Sequence, residues 1–210
     1  MNPDDLGFAL LAFTSMLAIV NPLGAVPVYV TLTGDYTRER RLATLRAAIV
    51  TAVVALFAFA VAGPLILRIF GVTTDAFRIT SGVLMLGIGY DMVRAKRGPA
   101  RITKAEEEEA GNRDEVGVIP LGIPSLAGPG AITTVITLMA EAGSIGRKGV
   151  VLATIPLVML VAWLVLRVAP VVLLRVGRTG VNVLTRLMGL LVMVIGMQFV
   201  ITGIESVAGR

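Results

Sequence analysis

The sequence predicts an all-α polytopic membrane protein of six transmembrane helices, built as a 3+3 inverted-topology repeat with helices 1 and 4 broken near the midplane. Three observations predict it. The 210 residues are 56% hydrophobic and 16% charged, with mean hydropathy +0.87, whereas a soluble domain carries about 25% charged residues. The apolar residues gather into six blocks. Two of those blocks are interrupted in mid-run by proline and glycine, at Val20-Asn21-Pro22-Leu23-Gly24-Ala25-Val26-Pro27 and at Pro124-Ser125-Leu126-Ala127-Gly128-Pro129-Gly130-Ala131.

The blocks cover residues 6–33, 47–67, 77–93, 116–140, 149–169 and 187–207. A helix crosses the hydrocarbon core in about 20 residues, so the third block is short and the first and fourth are long. The two long ones hold the interruptions. Unwound backbone accounts for the extra length, as tilt also would. The N-terminus, Met1-Asn2-Pro3-Asp4-Asp5, lacks the basic stretch of a signal peptide, so the first span is expected to be retained.

Lysine and arginine placement orients the spans. With the N-terminus outside, thirteen basic residues fall in cytoplasmic loops and five on the opposite side, while Arg167 lies at a span end. The positive-inside rule then puts both termini outside the plasma (inner) membrane. Residues 94–115, which include Glu106-Glu107-Glu108-Glu109, read as a solvated cytoplasmic linker. The linker separates a first three-helix repeat over 1–93 from a second over 116–210.

Internal similarity joins the two halves. At an offset of 106, Gly24-Ala25-Val26 matches Gly130-Ala131-Ile132, Arg41 matches Arg147, Pro64 matches Pro170 and Gly71 matches Gly177. One residue of slip then aligns Gly82 with Gly189 and Ile88-Gly89 with Ile195-Gly196. Each half holds three spans, an odd number, so the second half enters from the opposite side. Many secondary transporters use this construction for alternating access.

Proline removes a backbone donor, and in lipid the groups so freed must be satisfied by protein or by a water-filled cavity. The two interruptions therefore line a pathway in this reading. Half-helices are expected from Pro27 to about Thr33 and from about Ala131 to Ala140, each with proline near its first turn. Their N-termini approach the midplane from opposite faces and favour an anionic group such as a carboxylate. The candidate substrate-binding residues are Asn21, Pro22, Gly24, Pro27, Ser125, Gly128, Pro129, Gly130, Thr133 and Thr134. So few fixed charges suit a small zwitterion. Gly82, Gly87, Gly89, Gly189 and Gly196 read instead as close-packing positions, and Met85 and Met193 as packing residues.

Asp91 aligns with Gln198, and the two are candidate residues for proton or sodium coupling. Asp91 also lies three residues before Arg94, a spacing that suits an interfacial ion pair. The chain has no His and no Cys, which removes imidazole and thiolate chemistry and most metal sites. No Gly-x-Ser-x-Gly elbow and no phosphate-binding loop occur. We therefore expect no enzyme activity, no cofactor, no metal and no nucleic-acid partner; the lipid bilayer and a small solute are the expected partners, and a homo-oligomer is compatible with the sequence.

Asn21-Pro22-Leu23-Gly24, together with Ile119-Pro-Leu-Gly-Ile-Pro-Ser-Leu-Ala-Gly-Pro-Gly-Ala-Ile-Thr133, resembles the two motifs of the MarC family of bacterial and archaeal inner-membrane proteins. Span count, length and central loop agree as well. The resemblance implies a small transporter, with members associated with glycine, alanine and similar neutral amino acids. The resulting expectation is a secondary transporter or exporter of that solute class, with a passive channel for small polar solutes as the alternative.

Overall fold

A computed structural model describes residues 3–94 and 117–209 of the chain. The expected linker, apart from Arg94, lies outside the described residues. All the described regular structure is helical: α1 (Pro3–Val20), α2 (Pro22–Thr33), α3 (Arg38–Ile69), α4 (Thr74–Val93), α5 (Gly117–Leu126, of π type), α6 (Pro129–Glu141) and α7 (Ile145–Ala208).

Local chemistry sets these boundaries. Thr37, Thr73 and Ser144 are N-caps whose hydroxyls accept from the amides of Arg40, Ala76 and Arg147, at 3.3, 3.1 and 3.2 Å. Each satisfies one of the donors a helix start leaves without an intrahelical partner. After α3 the chain turns at Gly71, with φ 66°, and α7 breaks its 64-residue run at Gly177, with φ 69° and ψ 173°. Only glycine adopts that backbone without a steric penalty.

Among the described residues, four stretches are long and apolar enough to cross a membrane: Asp4–Thr33, Arg38–Ile69, Ile145–Val171 and Asn182–Ala208. The other two apolar blocks form α4, which carries Asp75, Arg78 and Asp91, and the α5–α6 pair, which is divided at Ala127 and Gly128. The core runs through the middle of the bundle, where Met16, Tyr29, Leu56, Leu121, Ile155 and Leu166 are completely or almost completely buried. The outward faces are just as apolar, with Leu10, Val54, Val61, Leu160 and Val194 all more than half exposed. In water such a surface would drive aggregation; in a bilayer it is solvated by acyl chains. The chain is an integral membrane protein.

The closest helix pair is α4 against the second limb of α7, running antiparallel. A Cβ at Gly82 would lie 2.5 Å from the Gly196 carbonyl oxygen, and one at Gly89 would lie 2.6 Å from that of Gly189. The reciprocal positions are equally closed, at 2.9 Å for Gly189 and 2.8 Å for Gly196. Backbones touch here because no side chain intervenes, which is how helices gain dispersion energy where lipid offers no hydrophobic drive. Gly87 departs from the expected packing role. It faces outward with nothing within 4 Å of its missing side chain.

This contrast predicts opposite signs for glycine substitutions on the two helices of this pair, Gly87 on α4 and Gly196 on α7. Gly87→Ala should stabilise the protein by about 0.4–1 kcal/mol, by restricting the unfolded chain without a clash. Gly196→Val should destabilise it by about 1–3 kcal/mol, because the new methyl groups meet a fixed carbonyl. Thermal unfolding in a mild detergent should separate the two variants on either side of the parent.

Candidate functional site

The first break is one residue wide. Asn21 sits in the left-handed region at φ 47° and ψ 65°, the one non-glycine residue with positive φ among those described. Asparagine tolerates that conformation because its short polar side chain can bond locally. Here Oδ1 accepts the Gly24 amide at 3.1 Å. Helical bonding runs up to the break and resumes directly after it: Asn21 N–H donates to Leu17 O at 3.1 Å, and Ala25 N–H donates to Asn21 O at 3.3 Å. Pro22 takes the first helical position, where its absent N–H is no loss. The half-helix therefore begins at Pro22 and not at Pro27, which lies inside α2. With no amide at Pro27, the Leu23 carbonyl loses its helical donor.

At its other end α2 is held by Arg41. The guanidinium donates to Thr33 O at 3.1 and 3.2 Å and to Gly34 O at 3.3 Å, satisfying carbonyls the helix terminus leaves over. Tyr29, buried in α2, donates through its hydroxyl to Arg41 O at 3.4 Å.

The second break is built differently. Through α5 the backbone is underwound and widened into the π pattern, so that Ala127 N–H donates back to Gly122 O at 2.9 Å. Gly128 is then extended at φ −76° and ψ 173° and caps α6 with no side chain at all. Pro129 is the first helical residue, and Ile132 N–H donates to Gly128 O at 3.0 Å. The Gly130 and Ala131 amides form the first turn of α6, both on buried residues and without a side-chain cap.

The two breaks are neighbours. A Cβ at Gly130 would lie 3.1 Å from Cγ2 of Ile19, in the last turn of α1, and 3.3 Å from Cγ of Met85. A Cβ at Gly24 would lie 3.1 Å from Cε of Met92. Helix α4 thus borders both breaks, through methionines seven residues apart.

Thr133 and Thr134 are buried in α6 and spend their hydroxyl protons on their own helix, on Pro129 O and Gly130 O at 2.8 Å each. Thr133 Oγ1 also accepts from Ser81 Oγ of α4 at 2.6 Å. Ser125 is half-buried at the end of α5. Pro129 and Thr133 border a cleft of about 310 Å³ between α3, α4 and α6, whose other walls include Phe59, Phe77, Leu84 and Ile132. Its lining is almost wholly apolar, because the hydroxyls along it are already bonded.

Asp91 and Gln198 do not come together. They sit at opposite ends of the antiparallel α4–α7 pair, about 16 Å apart along the axis by helical rise. Gln198 is exposed and donates to Thr202 Oγ1 at 3.2 Å. The expected Asp91–Arg94 ion pair does not form among the described residues; Arg94 stacks over the Tyr90 ring at 5.2 Å instead. Ser81, Met85 and Met92 join the site region without having been singled out for it. The serine could have been found by its place beside Gly82 on a packing face.

A family model for MarC family integral membrane proteins matches residues 6–208. The chain belongs to the MarC family. It is 44% identical to a membrane protein of Methanocaldococcus jannaschii over 202 residues, covering 96% of this chain and 98% of the relative. It is 36% identical to the membrane protein YhcE of Escherichia coli, covering 93% and 91%, and 34% identical to YvbG of Bacillus subtilis, covering 95% of each. No solved structure matches it. As a MarC protein it shares with these relatives a membrane character over nearly the full length.

The geometry at Asn21 yields a graded prediction. Asn21→Gly keeps the left-handed backbone and should cost only a few tenths of a kcal/mol, whereas Asn21→Ala loses both cap and conformational tolerance and should cost about 1–3 kcal/mol. Comparing the melting temperatures of the two purified variants checks the order.

Proposed function

We propose that this MarC protein is a secondary transporter, acting as an exporter, of small neutral amino acids such as glycine or alanine. Two inverted three-helix repeats would alternate access to a site between the helix breaks. The observation that carries this reading is the approach of Gly130 to Ile19, which brings the uncapped first turn of α6 beside the end of α1. Amides and a positive dipole end suit a substrate carboxylate. The Leu23 carbonyl, short of a donor because of Pro27, suits its ammonium group.

Three correspondences support the repeat. Asn21–Pro22 and Gly128–Pro129 each put proline first in a half-helix, 107 residues apart. Gly71 and Gly177, 106 residues apart, both take positive φ, at 66° and 69°. The glycine contacts also cross over. Gly82 aligns with Gly189, and Gly89 with Gly196, yet Gly82 touches Gly196 and Gly89 touches Gly189. A two-fold axis across an antiparallel pair exchanges contacts in this way. In this arrangement helices 1 and 4 are the broken ones, both termini face outward, and the basic loops face the cytoplasm. Asp91 is the carboxylate available for proton or sodium coupling; Gln198 lies too far away to share an ion with it.

Purified protein in liposomes should carry labelled glycine or alanine with saturable, counterflow-competent flux, responsive to an imposed proton or sodium gradient. Flux that never saturates and shows no counterflow would point to a passive channel. Gly130→Leu drives a side chain into Ile19 and Met85 and should lower flux at least about tenfold, the usual scale for losing one well-placed interaction. Normal flux in both Gly130→Leu and Asn21→Ala, with the protein folded, would overturn the site.

A further inference from the structure

We infer that Asp5, Arg78, Glu141 and Arg147 form a latch that closes the route to the helix breaks from the face where α6 turns into α7. The inference rests on the transport reading for its purpose, but not for its geometry. The turn between the two helices spans only Ala142 to Ser144, with Gly143 at φ 61°. On one side of it Glu141 pairs with Arg78 of α4. On the other side Arg147 pairs with Asp5 of α1 at 3.0 Å and stacks over the Phe8 ring at 5.4 Å. Each pair ties the second half of the chain to the first. In one the first half supplies the cation, and in the other it supplies the anion.

The latch stands at the end of a polar stripe. Thr133 and Glu141 both reach α4, through Ser81 and Arg78, and Thr137 lies between them at helical spacing. Thr137 is 5% exposed, and its hydroxyl has no hydrogen-bond partner among the described residues. A buried hydroxyl left without a partner is unfavourable unless water or a polar solute reaches it. The stripe from Gly130 through Thr134 and Thr137 to Glu141 covers about 16 Å, roughly half the hydrocarbon thickness. On this inference it marks the line a solute would follow from the break to the latched face once the buried stripe opens.

The corner is also the part of this face with room to move. A Cβ at Gly149 would meet nothing within 4 Å, and one at Gly146 only the Ser144 hydroxyl at 3.9 Å. The Arg78 side chain is 11% exposed, whereas those of Glu141, Arg147 and Asp5 are between 34% and 45% exposed. Asp75 stands one turn before Arg78, and Lys148 follows Arg147, so neither charge cluster is neutralised by its pair alone. The Arg147–Asp5 pair is partly solvated on both sides and the Arg78–Glu141 pair on its glutamate side, which suits contacts that open and reclose in every cycle.

The absence of cysteine from the sequence makes the test direct. Ser125→Cys places one near-isosteric thiol beside the second break, and its reaction with a membrane-impermeant maleimide is timed in oriented vesicles of the full chain. With the latch intact, labelling from the Asp5 face should be slow. Adding Asp5→Asn and Glu141→Gln should speed it about tenfold and slow labelling from the opposite face, as a shift in conformer population requires. The charge swap Arg78→Glu with Glu141→Arg should return the rate toward that of the intact protein. Unchanged labelling in the neutralised protein overturns the latch, as does equal acceleration from both faces, which would mark general loosening. Should the swap fail to fold, by size-exclusion profile, Glu141→Asp takes its place and should label slowly. Faster labelling without flux of any amino acid would sink the transport reading and leave the latch standing; flux with unchanged labelling does the reverse.

Discussion

A backbone amide or carbonyl in hydrocarbon has no water to turn to, and the whole arrangement follows from where this chain gives up helical bonding. It does so at two places inside apolar stretches, and each is kept narrow. At Asn21 a single residue changes hand, with the hydrogen bonds of the preceding helix running up to it and those of the next beginning from it. At Gly128 the cost is spread over a π-type segment, whose longer-range bonds carry the chain to the break. Ile19, Met85 and Met92 pack beside the breaks, where Pro22, Ala127 and Gly130 are buried and Asn21, Gly24 and Gly128 half-buried, while Leu23 and Pro129 look outward. An unwound segment exposed to acyl chains would cost several kcal/mol per unpaired group; enclosed in protein, the same groups become available for binding.

Two kinds of interface hold the halves together, and they differ in what they permit. Between α4 and the last limb of α7 the backbones touch through glycines, and the contacts are short on both sides. Such a surface has few soft degrees of freedom, because sliding by a residue replaces glycine with a bulky neighbour. At the α6–α7 corner the halves meet through long charged side chains, three of the four partly exposed. Those contacts can lengthen, take up water and reform. On the proposed transport reading, a rigid seam along one helix pair and a yielding corner beside another would be the mechanical division that relative motion of the halves needs.

Much of this was legible in the sequence. Proline and glycine inside apolar runs signal candidate interruptions, and those at Asn21 and at Ala127–Gly128 fall within the expected stretches, whereas Pro27, Pro64, Pro156 and Pro170 sit inside helices that continue through them. The glycines at 82, 89, 189 and 196 pack as small residues in membranes do. The misjudged details have local causes. Pro27 and Pro22 compete for the same helix start, and the choice turns on Asn21, whose tolerance of positive φ lets the half-helix begin at Pro22 rather than at Pro27. Alignment at an offset of 106 hides this, since the paired prolines at 22 and 129 differ by 107. Gly87 shares a periodic face with no other glycine, and only packing shows that it looks outward. Arg78 and Glu141 lie in different halves, and their pairing depends on how the halves dock, which no local pattern encodes.

The hydroxyls beside the second break bear on what could be recognised there. Thr133 and Thr134 return their protons to α6, and Ser81 turns toward Thr133, so the side chains that looked like ligands have partners already. What is left for a solute is backbone: the first amides of α6 and the carbonyl that Pro27 strands on α2. Backbone groups recognise the carboxylate and ammonium that every amino acid carries and cannot tell one side chain from another. Discrimination would then fall to shape. The space near Gly130 is bounded within 3.1 to 3.6 Å of its missing Cβ by Ile19 and Met85, one β-branched and stiff, the other pliable. Walls of that kind exclude by bulk and adapt over a methyl group or two. On the proposed transport reading, such walls would give a range of small neutral amino acids rather than one member of the class.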